Sequence, residues 1–325
     1  MDTIHLINPM RACAGSEWRT LELYRLLSPH APTRVWSDEN PTAFFRDKLP
    51  IERIRPALLR FPFRGTLVFI GVYTRIGWWI RLARPRRVIV VYNTPTPEQF
   101  HRNVRRVRPF CPRPVELVFA SNWLRDSVGG TGSVQVSPID LQRFHPAPAA
   151  APADRPFTIG RHSRDIDYKH HPDDPALYRQ LIAAGVRVRL LGGTVLAPQL
   201  ASLPAVELLP LNTEEPAAFL RTLDAFYYRT SERFREPHGR VVQEAMACGL
   251  PVVCHHSGGY AEFIDHGRNG FLFDTNDEAA AHLTALQHDP ALRQRLGRAA
   301  RATVEHLFSP EANQRVVDFY LGRST

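Results

Sequence analysis

Residues 236–253 read Glu236-Pro237-His238-Gly239-Arg240-Val241-Val242-Gln243-Glu244-Ala245-Met246-Ala247-Cys248-Gly249-Leu250-Pro251-Val252-Val253. Pro237 and Gly239 are expected to open a helix, because proline is favoured at the first helical position, where its missing N–H costs no bond. Gly249 and Pro251 end that helix and lead into a short apolar strand over 252–254. From Pro237 to Glu244 is two turns, a rise of roughly 10 Å at 1.5 Å per residue, so Glu244 returns to the face where the helix began. With an acid at each end and unpaired N–H groups at its start, such a helix suits a ligand with polar groups at both ends and an anion between them. Taken singly, each Glu has a plainer reading, as a partner of the helix dipole or a solvent-facing side chain.

Outward from this stretch, short apolar runs alternate with helical patterns. In the first half the runs are 4–8, 67–72, 88–92 and 115–120, with helical patterns near 16–27, 75–83, 96–106 and 122–128. The alternation restarts after a low-complexity Ala/Pro stretch at 147–154, which reads as a linker. Strand-like runs follow at 157–161, 186–191, 206–209, 225–229, 252–254 and 271–273, with a helical pattern at 175–184 and a helical tail from 277 that Ser309-Pro310 interrupts. Strand and helix in alternation imply an α/β fold with parallel sheets covered on both faces. Two Rossmann-like domains facing a ligand cleft are expected, since such sheets bind at strand C-termini.

A chain of 325 residues fits two domains, and 44% hydrophobic content is ample for their cores. No apolar run approaches the length of a membrane span, and the start of the chain has no basic region of the secretory kind. Cys13, Cys111, Cys248 and Cys254 show no metal spacing, and a reducing cytosol fits them. The net charge of +9 is uneven: residues 1–150 hold 22 Lys+Arg against 11 Asp+Glu, and residues 151–325 hold 19 against 21. A basic half points to an anionic partner, nucleic acid or a membrane surface. No RNA- or DNA-binding motif accompanies the charge. Gly77-Trp78-Trp79-Ile80-Arg81-Leu82-Ala83-Arg84-Pro85-Arg86-Arg87 mixes aromatics with arginines, so Trp78, Trp79, Arg81, Arg84, Arg86 and Arg87 are candidates for a membrane-surface patch. An ordinary sheet-covering helix with a solvated basic face is the other reading.

The stretch at 236–253 resembles the Glu-seven-Glu motif of family 4 retaining glycosyltransferases of the GT-B type, and Ala245, Met246, Ala247, Gly249, Pro251 and Val252 match its continuation. The resemblance covers most of the chain. Residues 137–146, Ser-Pro-Ile-Asp-Leu-Gln-Arg-Phe-His-Pro, look like that family's interdomain segment, with Ser137-Pro138 in place of its usual polar-Gly pair. It implies an acceptor domain at 1–146, a donor domain at 155–308, and a last helix, within 309–325, that packs back on the first domain. Ala14-Gly15-Ser16-Glu17 stands where the family has a Gly-Gly-x-Glu loop beside the donor phosphate; as a plain turn with Ser16 at a capping position it needs no ligand. Gly160-Arg161-His162-Ser163-Arg164 and Lys169 stand where the family has its Gly-Arg and a following Lys, here at a longer spacing that Arg164 could fill. Lys169 is one of two lysines beside 39 arginines, which suggests that a compact ammonium is wanted there.

The function implied is transfer of a sugar, with retained configuration, from a UDP- or GDP-linked donor to a glycan or lipid-linked acceptor, in glycan, lipopolysaccharide or exopolysaccharide synthesis. The location implied is cytoplasmic or peripheral on the inner membrane face. By the resemblance Glu244 faces the donor ribose, Glu236 the donor sugar, and the backbone near His238, Gly239, Arg240 and Val241, with Arg161 and Lys169, the diphosphate. No cofactor and no metal are expected. Asp165-Ile166-Asp167 has the look of a metal triplet but lies in a polar loop among cations, and is read as none. Asn93 and Thr94, after the run at 88–92, are the acceptor-side candidates; many relatives have a His there. Two other readings compete: a non-catalytic nucleotide-sugar-binding module of the same fold, and a nucleic-acid binder acting through the basic half.

Overall fold

The computed structural model describes residues 2–12, 14–147 and 155–323. The linker expected at 147–154 lies, apart from Ala147, outside the described residues. The chain forms two compact units, Met1–Pro138 with Phe308–Thr325, and Ile139–Leu307.

The first unit is built on seven strands: β1 (Ile4–Ile7), β2 (Thr33–Ser37), β3 (Ile51–Arg53), β4 (Thr66–Ile70), β5 (Arg87–Tyr92), β6 (Glu116–Phe119) and β7 (Ser133–Val134). Their order is β3-β2-β1-β4-β5-β6-β7, and every pairing is parallel. Alternate side chains go to opposite faces, as strand geometry requires. Leu67, Phe69, Val88 and Val90 join one core with Phe100 and Trp79. Val68, Ile70, Ile89 and Val91 join another, with Leu21, Leu23, Val317 and Tyr320. Burial on both faces explains why these strands read as continuous apolar runs.

The second unit has six strands: β8 (Thr158–His162), β9 (Arg187–Leu191), β10 (Val206–Leu209), β11 (Ala225–Tyr228), β12 (Val252–His255) and β13 (Phe271–Phe273). All are parallel, in the order β10-β9-β8-β11-β12-β13. The last helix, Pro310–Leu321, belongs to the first unit, where it buries Val317 and Tyr320 and its carbonyl at Tyr320 accepts from Arg87 Nη1 at 3.1 Å.

Three expectations about the framework are corrected. The units part after Pro138, not after Pro146, because residues 139–146 bond to the second unit: Arg143 pairs with Glu215 at 2.7 Å, and Arg301 donates to Phe144 O at 2.7 Å. The helical pattern at 75–83 is helical only over Ile80–Ala83, with Gly77 before it and Arg84 at φ 46° after it. Strands β2 and β3 lie outside the expected apolar runs; Thr33-Arg34-Val35-Trp36-Ser37 and Ile51-Glu52-Arg53 are too polar to stand out.

Candidate active site

In the second sheet the chain order reverses between β8 and β11, and the C-terminal ends of neighbouring strands diverge there into the switch point where such sheets bind ligands. Strand β8 delivers Arg161 and His162 to this point, and β11 delivers Tyr228. The loop after β8 brings Lys169, and the loop after β11 brings Glu236. Lys169 Nζ lies 2.5 Å from Glu236 Oε2, and the Tyr228 hydroxyl donates to the same oxygen at 2.7 Å. The ammonium also sits 4.3 Å from the centre of the Phe234 ring. Tyr228 and Lys169 are buried, and the Glu236 side chain is 14% exposed. Burial pushes the Glu236 carboxyl up, but the Lys169 ammonium and the Tyr228 hydroxyl outweigh it and hold the group below the ordinary carboxylate range. Burial pulls the Lys169 ammonium down, opposed by Glu236.

The helix after Glu236 differs from expectation. It spans Arg240–Ala247, with Gly239 as its cap at φ 78°, so Pro237 lies three residues before the helix. Glu236 is therefore a loop residue, and the two acids do not share a helix face. The left-handed backbone explains Gly239: a Cβ there would also meet Tyr260 Cδ1 at 2.5 Å. Val241 occupies the first turn, in which Val242 N donates to Gly239 O at 2.9 Å. His238 is buried, with Nε2 2.9 Å from Gln243 Oε1. Glu244 lies one turn in. Its Oε1 accepts from Arg240 Nε at 2.8 Å, and its Oε2 is 3.2 Å from His162 Nε2. Burial raises this carboxyl too, but Arg240 and His162 bring it below its ordinary value.

Arg161 departs most from its expected role. Its side chain is fully buried, its guanidinium donates to the carbonyls of Arg229 (2.5 Å) and Lys169 (2.6 Å), and it lies 4.3 Å from the centre of the Tyr228 ring. It anchors the segment carrying Lys169 instead of facing a ligand. Arg164 is exposed and donates to Tyr168 Oη at 3.1 Å. The carboxylates of Asp165 and Asp167 have separate tasks: Asp165 accepts from Val195 N and Thr194, and Asp167 pairs with the exposed Arg233 at 2.7 Å. Among the described residues no three His, Cys, Asp or Glu side chains cluster as metal ligands.

The sequence did not reveal Tyr228, which looks like one more core residue of an apolar strand, or His162 as the partner of Glu244. It also hid a buried network beneath the site. Arg229 and the Tyr227 hydroxyl both donate to Asp174 Oδ1, at 2.7 Å and 2.8 Å. The available signal was an Arg between two strand tyrosines and a loop Thr, since a buried Arg needs a carboxylate.

The first unit gathers a smaller set at the matching place, between β1 and β4. Ser16 is the second residue of the helix Gly15–Leu27 and does not cap it; the cap is Ala14, and the Ser16 hydroxyl donates to Glu17 Oε2 at 2.7 Å. A Cβ on Gly71, after β4, would lie 3.4 Å from Asn93 Oδ1 and 3.5 Å from Ser16 Cβ, so these residues are neighbours, and Thr94 Oγ1 donates to Asn93 Oδ1 at 3.3 Å. A Cβ on Gly15 would meet nothing within 4 Å, so local crowding does not demand glycine there. Glu17 is buried, and burial pushes its carboxyl above the usual range, only partly offset by Ser16.

The candidate membrane patch is broken up by the structure. Trp79 belongs to the core, against Phe69 and Phe61. Arg87 pairs with Glu116 at 2.5 Å, and Arg86 pairs with Asp2 at 2.7 Å. Trp78, Arg81 and Arg84 remain exposed. No helix among the described residues is long and apolar enough to cross a membrane.

Compared with solved structures, the chain superposes on that of the Anabaena protein HepE in complex with UDP and glucose, with a TM-score of 0.77 over 99% of this chain and 100% of that one, at 16% identity. The fold is GT-B. Within this GT-B framework residues 205–303 match the family model for glycosyl transferases group 1, a segment that includes Tyr228, Glu236 and Glu244. Over 96 residues the chain is 42% identical to the D-inositol 3-phosphate glycosyltransferase of Pseudarthrobacter chlorophenolicus, covering 29% of this chain and 22% of that protein. Over 110 residues it is 34% identical to the lipopolysaccharide core biosynthesis glycosyltransferase LpsE of Rhizobium meliloti, covering 33% and 31%. The shared stretch thus spans under a third of either relative's length.

Proposed function

We propose that this chain is a retaining glycosyltransferase, moving a sugar from a nucleoside diphosphate sugar, UDP- or GDP-linked, to a hydroxyl of a glycan or lipid-linked acceptor. The observation that carries the reading is the buried Lys169–Glu236–Tyr228 cluster at the switch point, beside a helix start held open by Gly239. HepE, which shares the fold, binds UDP and glucose. LpsE, similar over 110 residues, is named for lipopolysaccharide core biosynthesis, which supports an envelope-glycan role.

In this reading the diphosphate lies at the start of the Arg240–Ala247 helix, where N–H groups and the positive end of the dipole favour an anion. Lys169 gives one of its three N–H donors to Glu236 and keeps others for a phosphate oxygen. Charge builds on the diphosphate as the glycosidic bond breaks, so these donors bind the transition state more strongly than the ground state, and no metal is needed to do so. Glu236 Oε2 is taken by Lys169 and Tyr228, which leaves Oε1 to accept from a sugar hydroxyl. Glu244, held by Arg240 and His162, keeps a second lone pair on each oxygen for ribose hydroxyls. The acceptor hydroxyl attacks the face from which the diphosphate leaves, and a departing phosphate oxygen takes its proton, so the configuration is retained without a protein base. Asn93 and Thr94 are assigned to the acceptor side. Arg161 positions Lys169 and does not touch the donor.

The test is a thermal-shift screen over UDP- and GDP-sugars, followed by transfer to short glycan acceptors with the product anomer read by NMR. Expected are one stabilising donor class and a product with the donor's anomeric configuration, at a rate unchanged by a chelator. An inverted product or a rate lost to the chelator overturns the corresponding part. Tight donor binding with no turnover on any acceptor favours the non-catalytic module.

A further inference from the structure

Between Glu52 and Glu98 the chain has no acidic residue and nine arginines. The structure folds part of this stretch into one surface of the first unit. Arg55 and Arg60 exchange backbone hydrogen bonds of 2.7 and 3.1 Å, closing a turn that raises Leu58 and Leu59 at its tip, 61% and 77% exposed. Phe61, next along, packs on Trp79, and Arg64 N donates to Ala83 O at 2.7 Å, so the turn runs beside the Ile80–Ala83 helix. The same segments expose Phe63 (48%), Trp78 (55%) and Leu82 (44%). Arg55, Arg60, Arg64, Arg81 and Arg84 lie in these same segments, all exposed and, among the described residues, none with a carboxylate in ion-pair range. The helix Pro97–Val107 packs on the same core through Phe100 and Val107 and adds the exposed Arg102, Arg105 and Arg106 on that side of the sheet.

Protruding aliphatic and aromatic side chains interspersed with cations that have no carboxylate partner match a bilayer with anionic headgroups: the apolar tips enter the interface and the arginines meet phosphate. We infer that this face of the first unit, centred on the Leu58-Leu59 tip and Trp78, docks the protein on an anionic phospholipid membrane. The charge complementarity selects lipid over an apolar protein groove, because a protein partner would have to supply an acidic surface with an apolar centre. The surface is not the one expected from sequence: Trp79, Arg86 and Arg87 leave it, and the turn at 55–64 enters.

The experiment is co-sedimentation of the full chain with vesicles of phosphatidylcholine alone or with phosphatidylglycerol added. Expected is binding to the mixed vesicles only, weakening with salt. Arg81→Ala and Arg60→Ala are each expected to weaken it about fivefold, the equivalent of about 1 kcal/mol per cation near such a surface. L58S/L59S, which alters exposed side chains only, is expected to abolish binding while leaving donor-induced thermal stabilisation intact, which separates this proposal from the transferase reading. Equal binding to both vesicle types, or unchanged binding by L58S/L59S, overturns it. So does concentration-dependent dimerisation without vesicles that the same variant abolishes, or binding to RNA but not vesicles.

Discussion

The two units share a scaffold and differ in what stands at its reversal point. In both sheets the chain order turns back beside the first strand, between β1 and β4 and between β8 and β11. In the second unit that place holds buried charge with partners: Lys169 with Glu236, Arg240 with Glu244, Arg229 with Asp174. In the first it holds small neutral groups, Ser16, Gly71 and Asn93, and one buried acid, Glu17, with no cation in ion-pair range among the described residues. Overall charge runs the other way, with 23 Lys+Arg against 12 Asp+Glu in the first unit and 18 against 20 in the second. Net charge and buried ion pairs therefore mark different units of the chain. A switch point is a geometric opportunity, and the side chains that fill it decide which ligand it takes.

The largest expected effect lies in the second unit. Glu236→Gln and Lys169→Ala should each lower the transfer rate on the order of 10²–10³-fold, as loss of one transition-state contact does. Rates within a few-fold of the parent would end the contrast between the units. Next is Tyr228→Phe, which removes one hydrogen bond to a charged oxygen, about 1.5–3 kcal/mol, and should slow transfer about tenfold or more with the fold intact by circular dichroism.

Glycines sharpen the comparison. Gly239→Ala should destabilise by about 1–3 kcal/mol, because a left-handed backbone and the Tyr260 ring both oppose a Cβ. Gly15→Ala, with open space around it, should leave melting unchanged or raise it slightly, since alanine is the better helix former by up to about 1 kcal/mol. Equal losses for both would show that the first unit's helix start is as constrained as the second's.

The smallest effect concerns pH. Glu236 and Glu244 are held below the ordinary carboxylate value, so their stabilisation is present above it and is lost as pH falls through their folded values. Glu17 is raised, so its contribution is present at low pH and is lost as pH rises through its folded value. Thermal melts from about pH 4 to about pH 7 should therefore show Glu17→Gln gaining on the parent as pH rises. A parallel pair of curves would remove Glu17 as a strained group.

The scaffold was legible where strands are apolar on both faces, as at 67–72 and 88–92, and illegible in half-polar β2 and in the edge strand β3 beside it, which lean on their neighbours for definition. At the candidate site the residue types at 236–244 could be read, but not the backbone between them. Pro237 precedes the helix because Gly239 takes a left-handed φ of 78° as its cap, a backbone choice that the residue types alone do not state. Arg161 illustrates the same limit. A cation beside a phosphate motif invites a ligand role, and only the carbonyls of Arg229 and Lys169, brought by later loops, show where its donors go.

The helix Pro310–Leu321 has a consequence for how the molecule is made. The first unit buries Val317 and Tyr320 in its own core, and Arg87 reaches carbonyls at the end of that helix. A ribosome releases the first unit's strands early and this helix only after the whole of the second unit. Residues 139–307 can therefore complete their fold on the nascent chain while the earlier unit waits, with an open apolar groove beside the helix Gly15–Leu27, for its final piece. Vectorial synthesis makes the unit that starts first the one that finishes last.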